Sequence, residues 1–370
     1  MNPFKYGQVV KEEDFCPRPK FLRNIEGFVR SAQNILLQGE RRTGKTSLIF
    51  EALRRLRKRH VVYVDLLEVK SSDDLCKRII KAVISMEEKS GVAEKLFKSL
   101  SRLRPTLSID PVTGQTTISL DASIKLQPDS IESIMDMIGT INRKKAIVVV
   151  FDEFQDILNL KDYKEALALL RSKIQFHAKI SYIFAGSIRN KMDDIFNHPD
   201  SAFFKSAIAL NVGPIERAQF IAFLKSKYSL GKRFIDQPVL DLIFEIAEDI
   251  PGDIQQLCGA IWETTFYKDK IYASIIPKAL QLIYAREFKG YEAILVQLTA
   301  NQLKCLVGLA KIGGKAPLST EFVREVGIEL PASIKKALTR LIQLKIIYRY
   351  QREYKFVNPF FKSWLVFKNF

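Results

Sequence analysis

Gly39-Glu40-Arg41-Arg42-Thr43-Gly44-Lys45-Thr46 follows the apolar run Ile35-Leu36-Leu37 after one intervening residue. Two glycines, then a lysine and a hydroxyl residue, have the spacing GxxxxGK[ST] that wraps backbone N–H groups around phosphate oxygens at the positive end of a helix. In that arrangement Lys45 neutralises the β- and γ-phosphates of a nucleoside triphosphate. Thr46, with Ser47 as second choice, offers its hydroxyl to Mg²⁺. The following residues carry Leu48, Ile49, Ala52, Leu53 and Leu56 on one helical face and Arg54, Arg55, Arg57, Lys58 and Arg59 largely on the other. A strand, a glycine loop and an amphipathic helix are therefore expected in that order.

A second chemical position lies at Ala146-Ile147-Val148-Val149-Val150-Phe151-Asp152-Glu153, an apolar run closed by two acids. Such a run reads as a strand buried on both faces, and ligands gather at the carboxyl ends of strands in open parallel sheets. Asp152 is the expected Mg²⁺ holder, through water, and Glu153 the carboxylate that polarises the attacking water. Further strands are expected at 61–64, 180–185 and 207–210. Alternating with helical patterns, they imply an α/β core with a parallel sheet covered on both faces. Past the 180–185 strand, Ser187 can reach a γ-phosphate. Arg189 either senses phosphate charge or is a plain surface arginine.

Composition bounds the rest. The chain has 370 residues, 47% hydrophobic and 27% charged, an ordinary globular balance with room for two or three domains. No apolar run is long enough to span a bilayer, and the N-terminus lacks a signal peptide's apolar stretch, so no membrane role and a cytoplasmic location are expected. Cys16, Cys76, Cys258 and Cys305 are scattered and are expected to be free thiols. His60, His177 and His198 stand apart from any nucleophile motif. Formal net charge is +17, and residues 291–370 hold thirteen Lys/Arg against five Glu. That field favours nucleic acid, acidic partners or anionic surfaces.

Residues 1–20, with Pro3, Pro17 and Pro19, read as an extended arm, and 21–213 as the core. Alternation around a Pro/Gly turn places a β-hairpin at about 105–127, either a partner-facing flap or an inert excursion. Residues 214–289 read as a wholly helical lid. Residues 290–370 read as three helices, 293–312, 320–326 and 332–346, and a β-rich tail whose hairpin spans 347–357. Helix-helix-helix-wing is a winged helix. On duplex DNA, Ser333, Lys335, Lys336, Thr339 and Arg340 of its third helix would face the major groove, and Arg349 and Arg352 of the wing would meet phosphates. The alternative is a protein-docking surface.

The order of phosphate loop, Asp-Glu strand, Gly-Ser turn and helical tail resembles the AAA+/STAND-type P-loop ATPases of the archaeal-type predicted ATPase group. Phe15-Cys16-Pro17-Arg18 with Phe21-Leu22, Asp152-Glu153-Phe154-Gln155, and Val357-Asn358-Pro359-Phe360-Phe361 with Trp364 carry the likeness further. It implies ATP with Mg²⁺ as ligands, an ASCE-type sheet core, a helical lid, and Phe15 and Arg18 on the adenine side. Two departures stand out. The Gly-x-Pro turn that opens a lid helix in relatives reads Asp249-Ile250-Pro251, and Ser201-Ala202-Phe203-Phe204-Lys205-Ser206 has no arginine for a trans-acting finger. Lys205 would replace it only as a point charge. The resulting expectation is a slow ATPase switch acting on a basic winged helix that binds DNA; the competing one is a nucleotide-binding signalling scaffold whose winged helix binds protein. Oligomeric state is left open.

Overall fold

The computed structural model describes residues 1–56, 59–88, 105–109, 116–120, 126, 128, 130–141, 146–187, 189–350 and 352–368. The chain divides into two compact units, Lys11–Gly213, and Met1–Val10 with Pro214–Phe370. The stretch read as one N-terminal arm is thus shared between them. In the second unit, Phe4 is buried against the rings of Tyr228 and Trp262, and Asn2 donates to the Gly259 carbonyl.

The first unit runs α1 (Pro19–Arg30), β1 (Ile35–Gln38), α2 (Lys45–Arg55), β2 (His60–Asp65) and α3 (Ser72–Glu88). It continues with β3 (Pro105–Ile109), β4 (Thr116–Leu120), α4 (Ser130–Ile141), β5 (Ile147–Asp152) and α5 (Tyr163–Ile174), then β6 (Ser181–Gly186), α6 (Arg189–Phe196) and β7 (Ile208–Asn211). β1, β5 and β6 are buried at every position, as their apolar sequences require. Five parallel strands form one sheet in the order β2-β5-β6-β1-β7. The parallel α/β P-loop fold expected from the sequence is the fold observed. β3 and β4 pair antiparallel, with Pro105 opposite Leu120; the turn at Asp110 to Gly114 lies outside the described residues.

Aromatic packing anchors the sheet below its carboxyl ends. Phe151, Phe154, Phe184, Phe196 and Phe203 are all buried, with Phe154 centred 4.8 Å from Phe184 and 5.6 Å from Phe203. Rings at these separations interact favourably beyond the area they remove from water. Phe154 lies immediately after the two acids, so burying it sets where the chain turns away from β5.

The second unit runs α7 (Arg217–Ser229), β8 (Phe234–Ile235), α8 (Gln237–Ile246), α9 (Pro251–Thr264), β9 (Lys270–Ile271) and α10 (Ile276–Val296). It ends with α11 (Ala300–Ile312), α12 (Thr320–Val326), α13 (Pro331–Gln343), β10 (Ile347–Tyr350), β11 (Glu353–Phe356) and α14 (Pro359–Phe367). Three expectations need correction. The 214–289 segment is not wholly helical, because β8 and β9 pair in parallel; two-residue strands leave almost no periodic signal. The expected 293–312 helix is two: α10 runs through to Val296, and Thr299 begins α11 in a capping box with Gln302. The tail is not only β-rich, since Asn358 caps α14 by accepting from the Phe360 and Phe361 amides.

The winged helix forms as expected. Gly314, after α11, accepts from the Tyr354 amide of β11 at 3.0 Å. A Cβ there would fall 1.8 Å from the Tyr354 carbonyl oxygen, so only glycine permits the wing to seat against this segment.

Replacing Thr299 with Ala removes one arm of the α11 capping box and should lower stability by about 1 kcal/mol. The midpoint of chemical unfolding should fall accordingly, and Gln302→Ala added to it should cost little more, because the two arms serve one helix start.

Candidate nucleotide site

Strand order builds the site. β6 lies between β1 and β5, with Gln38 opposite Gly186 and Phe151 opposite Phe184. The phosphate loop, Ser187 and the Asp152-Glu153 pair therefore emerge at neighbouring carboxyl ends of three parallel strands, where ligands bind in sheets of this kind.

The loop at 39–44 is held by close backbone packing. A Cβ on Gly39 would lie 2.3 Å from the Val212 carbonyl oxygen, so this glycine is required by the strand beside it. Gly44 has φ +82° at the start of α2, a left-handed conformation that glycine adopts at little cost, and Arg42 has φ +61°. The Thr43 hydroxyl donates to the Glu40 carbonyl at 2.8 Å, closing the loop on itself. From behind, the buried Arg18 guanidinium donates to the Thr43 carbonyl at 2.9 Å and the Gly213 carbonyl at 3.0 Å. Desolvation pulls Arg18 down to about 10, still a cation near neutrality. Both described Arg18 hydrogen bonds go to main-chain carbonyls; it braces the loop. Phe15 is buried.

Lys45 is 6% exposed, and its ammonium donates to the carbonyls of Gly39 at 3.1 Å and Glu40 at 2.9 Å. Burial lowers its pKa, opposed by the charges of Glu153 and Asp152 and reinforced by Arg41. A buried cation with loop carbonyls as its nearest partners is poised for an anion that would compensate its desolvation. Glu40 is half-buried, Arg41 and Arg42 are exposed, and Ser47 is buried.

Thr46 donates to Asp152 Oδ2 at 2.7 Å, and Tyr63 donates to the same oxygen at 2.7 Å. Asp152 Oδ1 accepts from the Glu153 amide at 3.0 Å. Burial, then the Asp152 carboxylate, push the Tyr63 phenol well above its ordinary pKa, so it remains a donor. Threonine hydroxyl and carboxylate are hard oxygen donors of the kind Mg²⁺ takes one or two of while keeping waters. Among the described residues no cluster of three or more His, Cys, Asp or Glu side chains could hold another metal.

Glu153 has φ +50°, and its Oε2 accepts from the Ser187 hydroxyl at 2.9 Å and from the Gln155 amide. Gln155, 1% exposed, also accepts from the Ser187 amide at 3.3 Å. Ser187 is thus brought to the acid pair. Arg189 opens α6, but its side chain lies outside the described residues. Neither Tyr63 nor Gln155 belongs to a motif that marks it as a site residue. A tyrosine within an apolar strand is one available signal, because a buried phenol needs a partner.

Elsewhere, Lys205 is exposed, with its ammonium 5.1 Å from the Phe204 ring. In the second unit Pro251 opens α9, and Asp249 has φ +57°, a left-handed conformation that glycine adopts at little cost. Arg217 holds the Asp249 carboxylate through two hydrogen bonds, 3.0 and 2.9 Å. On α13, Lys335, Lys336, Thr339 and Arg340 are exposed while Ser333 is half-buried, and the Thr339 hydroxyl donates to the Lys335 carbonyl. Arg349 and Arg352 are exposed on the wing. The four cysteines are free and buried, with thiols raised by burial to about 12, or about 11 for Cys305.

Residues 29–191 match the AAA domain family, and residues 289–366 match a family described as a probable winged helix domain. Among solved structures, a Walker-type ATPase of Pyrococcus abyssi superposes with TM-score 0.67 at 18% identity, covering 98% of this chain and 99% of that one. The Aeropyrum pernix ORC2 protein, in its ADPNP-ADP complexes, gives TM-score 0.54 at 14% identity and 99% coverage of both chains. The Aeropyrum pernix ORC1 protein, in complex with DNA, gives 0.52 at 15%, covering 97% and 94%. No curated protein sequence matches the chain. The first unit has the fold of a P-loop α/β core of the AAA type, and the second unit ends in a winged helix.

Tyr63→Phe should leave the fold intact while removing one of two hydroxyl donors on Asp152. The Mg²⁺ concentration needed for half-maximal nucleotide binding should rise by about tenfold, measured by titrating metal at fixed nucleotide. An unchanged requirement would relieve Tyr63 of any part in orienting the carboxylate.

Proposed function

We propose that the chain is a Mg-ATP-hydrolysing switch whose nucleotide state governs a DNA-binding winged helix. One contact carries the reading: the 2.7 Å bond from Thr46 to Asp152 brings the end of the phosphate loop onto the acid strand. Loop amides and Lys45 would bind the phosphates, and Thr46 and Asp152 would hold Mg²⁺, which when bound supplies positive charge against the β- and γ-oxygens. Lys45 would exchange its loop carbonyls for phosphate oxygens. Glu153 would accept a proton from, and orient, the attacking water, with Ser187 turning its hydroxyl to the γ-phosphate. ATP rather than another nucleotide is favoured by the resemblance in sequence and by the AAA domain match.

Glu153 supports the slow character of this switch. Its carboxylate is occupied by Ser187 and Gln155, so it must exchange those donors for water before it can act as a base. With Lys205 the cation in the 201–206 segment where relatives have an arginine, transition-state charge would be less completely compensated.

DNA contact is favoured by exposed Lys335, Lys336 and Arg340 on α13 and Arg349 and Arg352 on the wing, in a C-terminal segment of strongly positive balance. A helix face of this kind suits the major groove and the wing suits phosphates.

Glu153→Gln should reduce ATP turnover by about 10²-fold or more while leaving Mg-ATP affinity nearly unchanged, read by phosphate release beside calorimetry. Turnover that does not change would favour a scaffold in which ATP is a structural ligand. Lys335→Glu with Arg352→Glu should weaken duplex binding and flatten its dependence on salt by about two phosphate contacts; binding that persists at wild-type strength would move the DNA site away from the winged helix.

A further inference from the structure

The lid contains a surface that neither the nucleotide site nor the winged helix explains. β8 and β9 lie side by side, with Ile235 and Ile271 buried beneath them and Phe234 and Lys270 facing out. Around this pair Phe234 is 64% exposed, Phe266 79%, Tyr267 58% and Tyr272 58%. These are four of the nine large aromatic side chains exposed among the described residues, concentrated within about forty positions. Isolated exposed rings are ordinary, but grouped ones mark contact surfaces.

Cations are interleaved with the rings. Lys232 and Lys268 stand 5.9 and 5.7 Å from the Tyr267 ring, and Lys270 stands 5.6 Å from that of Tyr272. A groove of about 610 Å³ beside them is lined by Lys225, Ser229, Lys232, Arg233, Asp236 and Lys268, among others. Against five cations, counting Lys270, stand Asp236, 3.9 Å from Lys270, and Asp269, whose carboxylate accepts from the Phe266 amide at 2.6 Å. The balance is positive and much of the acid is engaged.

The support beneath is firm. Phe234 donates its amide to the Asp269 carbonyl and Lys268 to the Gly231 carbonyl, tying the two ring-bearing loops together. Arg233 lies 3.7 Å over the Trp262 ring and donates to the Trp262 carbonyl. The exposed rings thus sit on a tethered base, which lowers the entropy lost when something stacks on them.

We propose that this face of the lid binds single-stranded nucleic acid. Exposed rings offer faces for unpaired bases, and the flanking lysines meet the phosphates between them, the combination used for strands whose bases are free to stack. A duplex keeps its base faces covered and would use the charge alone. The assignment does not depend on hydrolysis or on the winged helix.

The test is fluorescence anisotropy with the full chain and labelled dT20, an abasic strand of equal length, and a 20-base-pair duplex. The wild-type chain should bind dT20 at least tenfold more tightly than the abasic strand. Phe266→Ala and Tyr267→Ala should each weaken dT20 by about tenfold while changing abasic and duplex binding less than twofold. Lys268→Glu with Lys270→Glu should reduce the salt dependence for both single strands. Because these side chains are exposed, circular dichroism should report unchanged melting. Equal affinity for dT20 and the abasic strand, or wild-type dT20 binding by the chain carrying both Phe266→Ala and Tyr267→Ala, would overturn the proposal. So would full displacement of dT20 by poly-glutamate at equal charge concentration, since the surface would then recognise acid rather than bases.

Discussion

A hydroxyl on the first turn of α2 meets a carboxylate at the end of β5, 106 residues later in the chain, at 2.7 Å. The contact forms across β6, which lies between β1 and β5 in the sheet. With this order, the buried ammonium of Lys45 lies within the field of Glu153 and Asp152, which offsets part of the desolvation that lowers its pKa. Ser187, carried on the intervening strand, is brought to Glu153 by the same arrangement.

Several residues occupy conformations they would avoid in isolation. Glu153 at φ +50° and Asp249 at φ +57° each hold a left-handed backbone that costs a non-glycine residue on the order of 1 kcal/mol. At Glu153 the offset comes from burying Phe154 among Phe184, Phe196 and Phe203, together with hydrogen bonds from Ser187 and Gln155. At Asp249 it comes from the paired contact with Arg217, whose guanidinium also lies over Phe244. At Gly39 no such offset is open, because the obstruction is the backbone of Val212.

The positive charge of the chain is not spread evenly. Part of it faces outward on α13 and the wing, where lysines and arginines stand with few exposed rings, an arrangement suited to a polyanion with paired bases. Another part surrounds the rings of β8, β9 and their loops, an arrangement suited to unpaired bases. Electrostatics alone treats the two surfaces alike. The distribution of aromatic side chains separates them.

Local pattern determined the phosphate loop and the acid-tipped strand, because each rests on spacing within about ten residues, and the order of such patterns along the chain gave the alternation of strands with helices and the winged helix. The glycines at 39 and 44, the apolar 146–151 run and the alternation at 347–357 are all signals of that kind. Tertiary structure alone decided that Tyr63 shares the Asp152 carboxylate with Thr46, that Ser187 meets Glu153, and that Arg18 braces the phosphate loop. It also decided that β8 and β9 come together under four exposed rings, and that Met1–Val10 joins the C-terminal unit. These contacts link residues distant in the chain or strands too short to be periodic. A hydrogen bond or ring contact depends on distance and angle in space, and sequence neighbours carry no record of either.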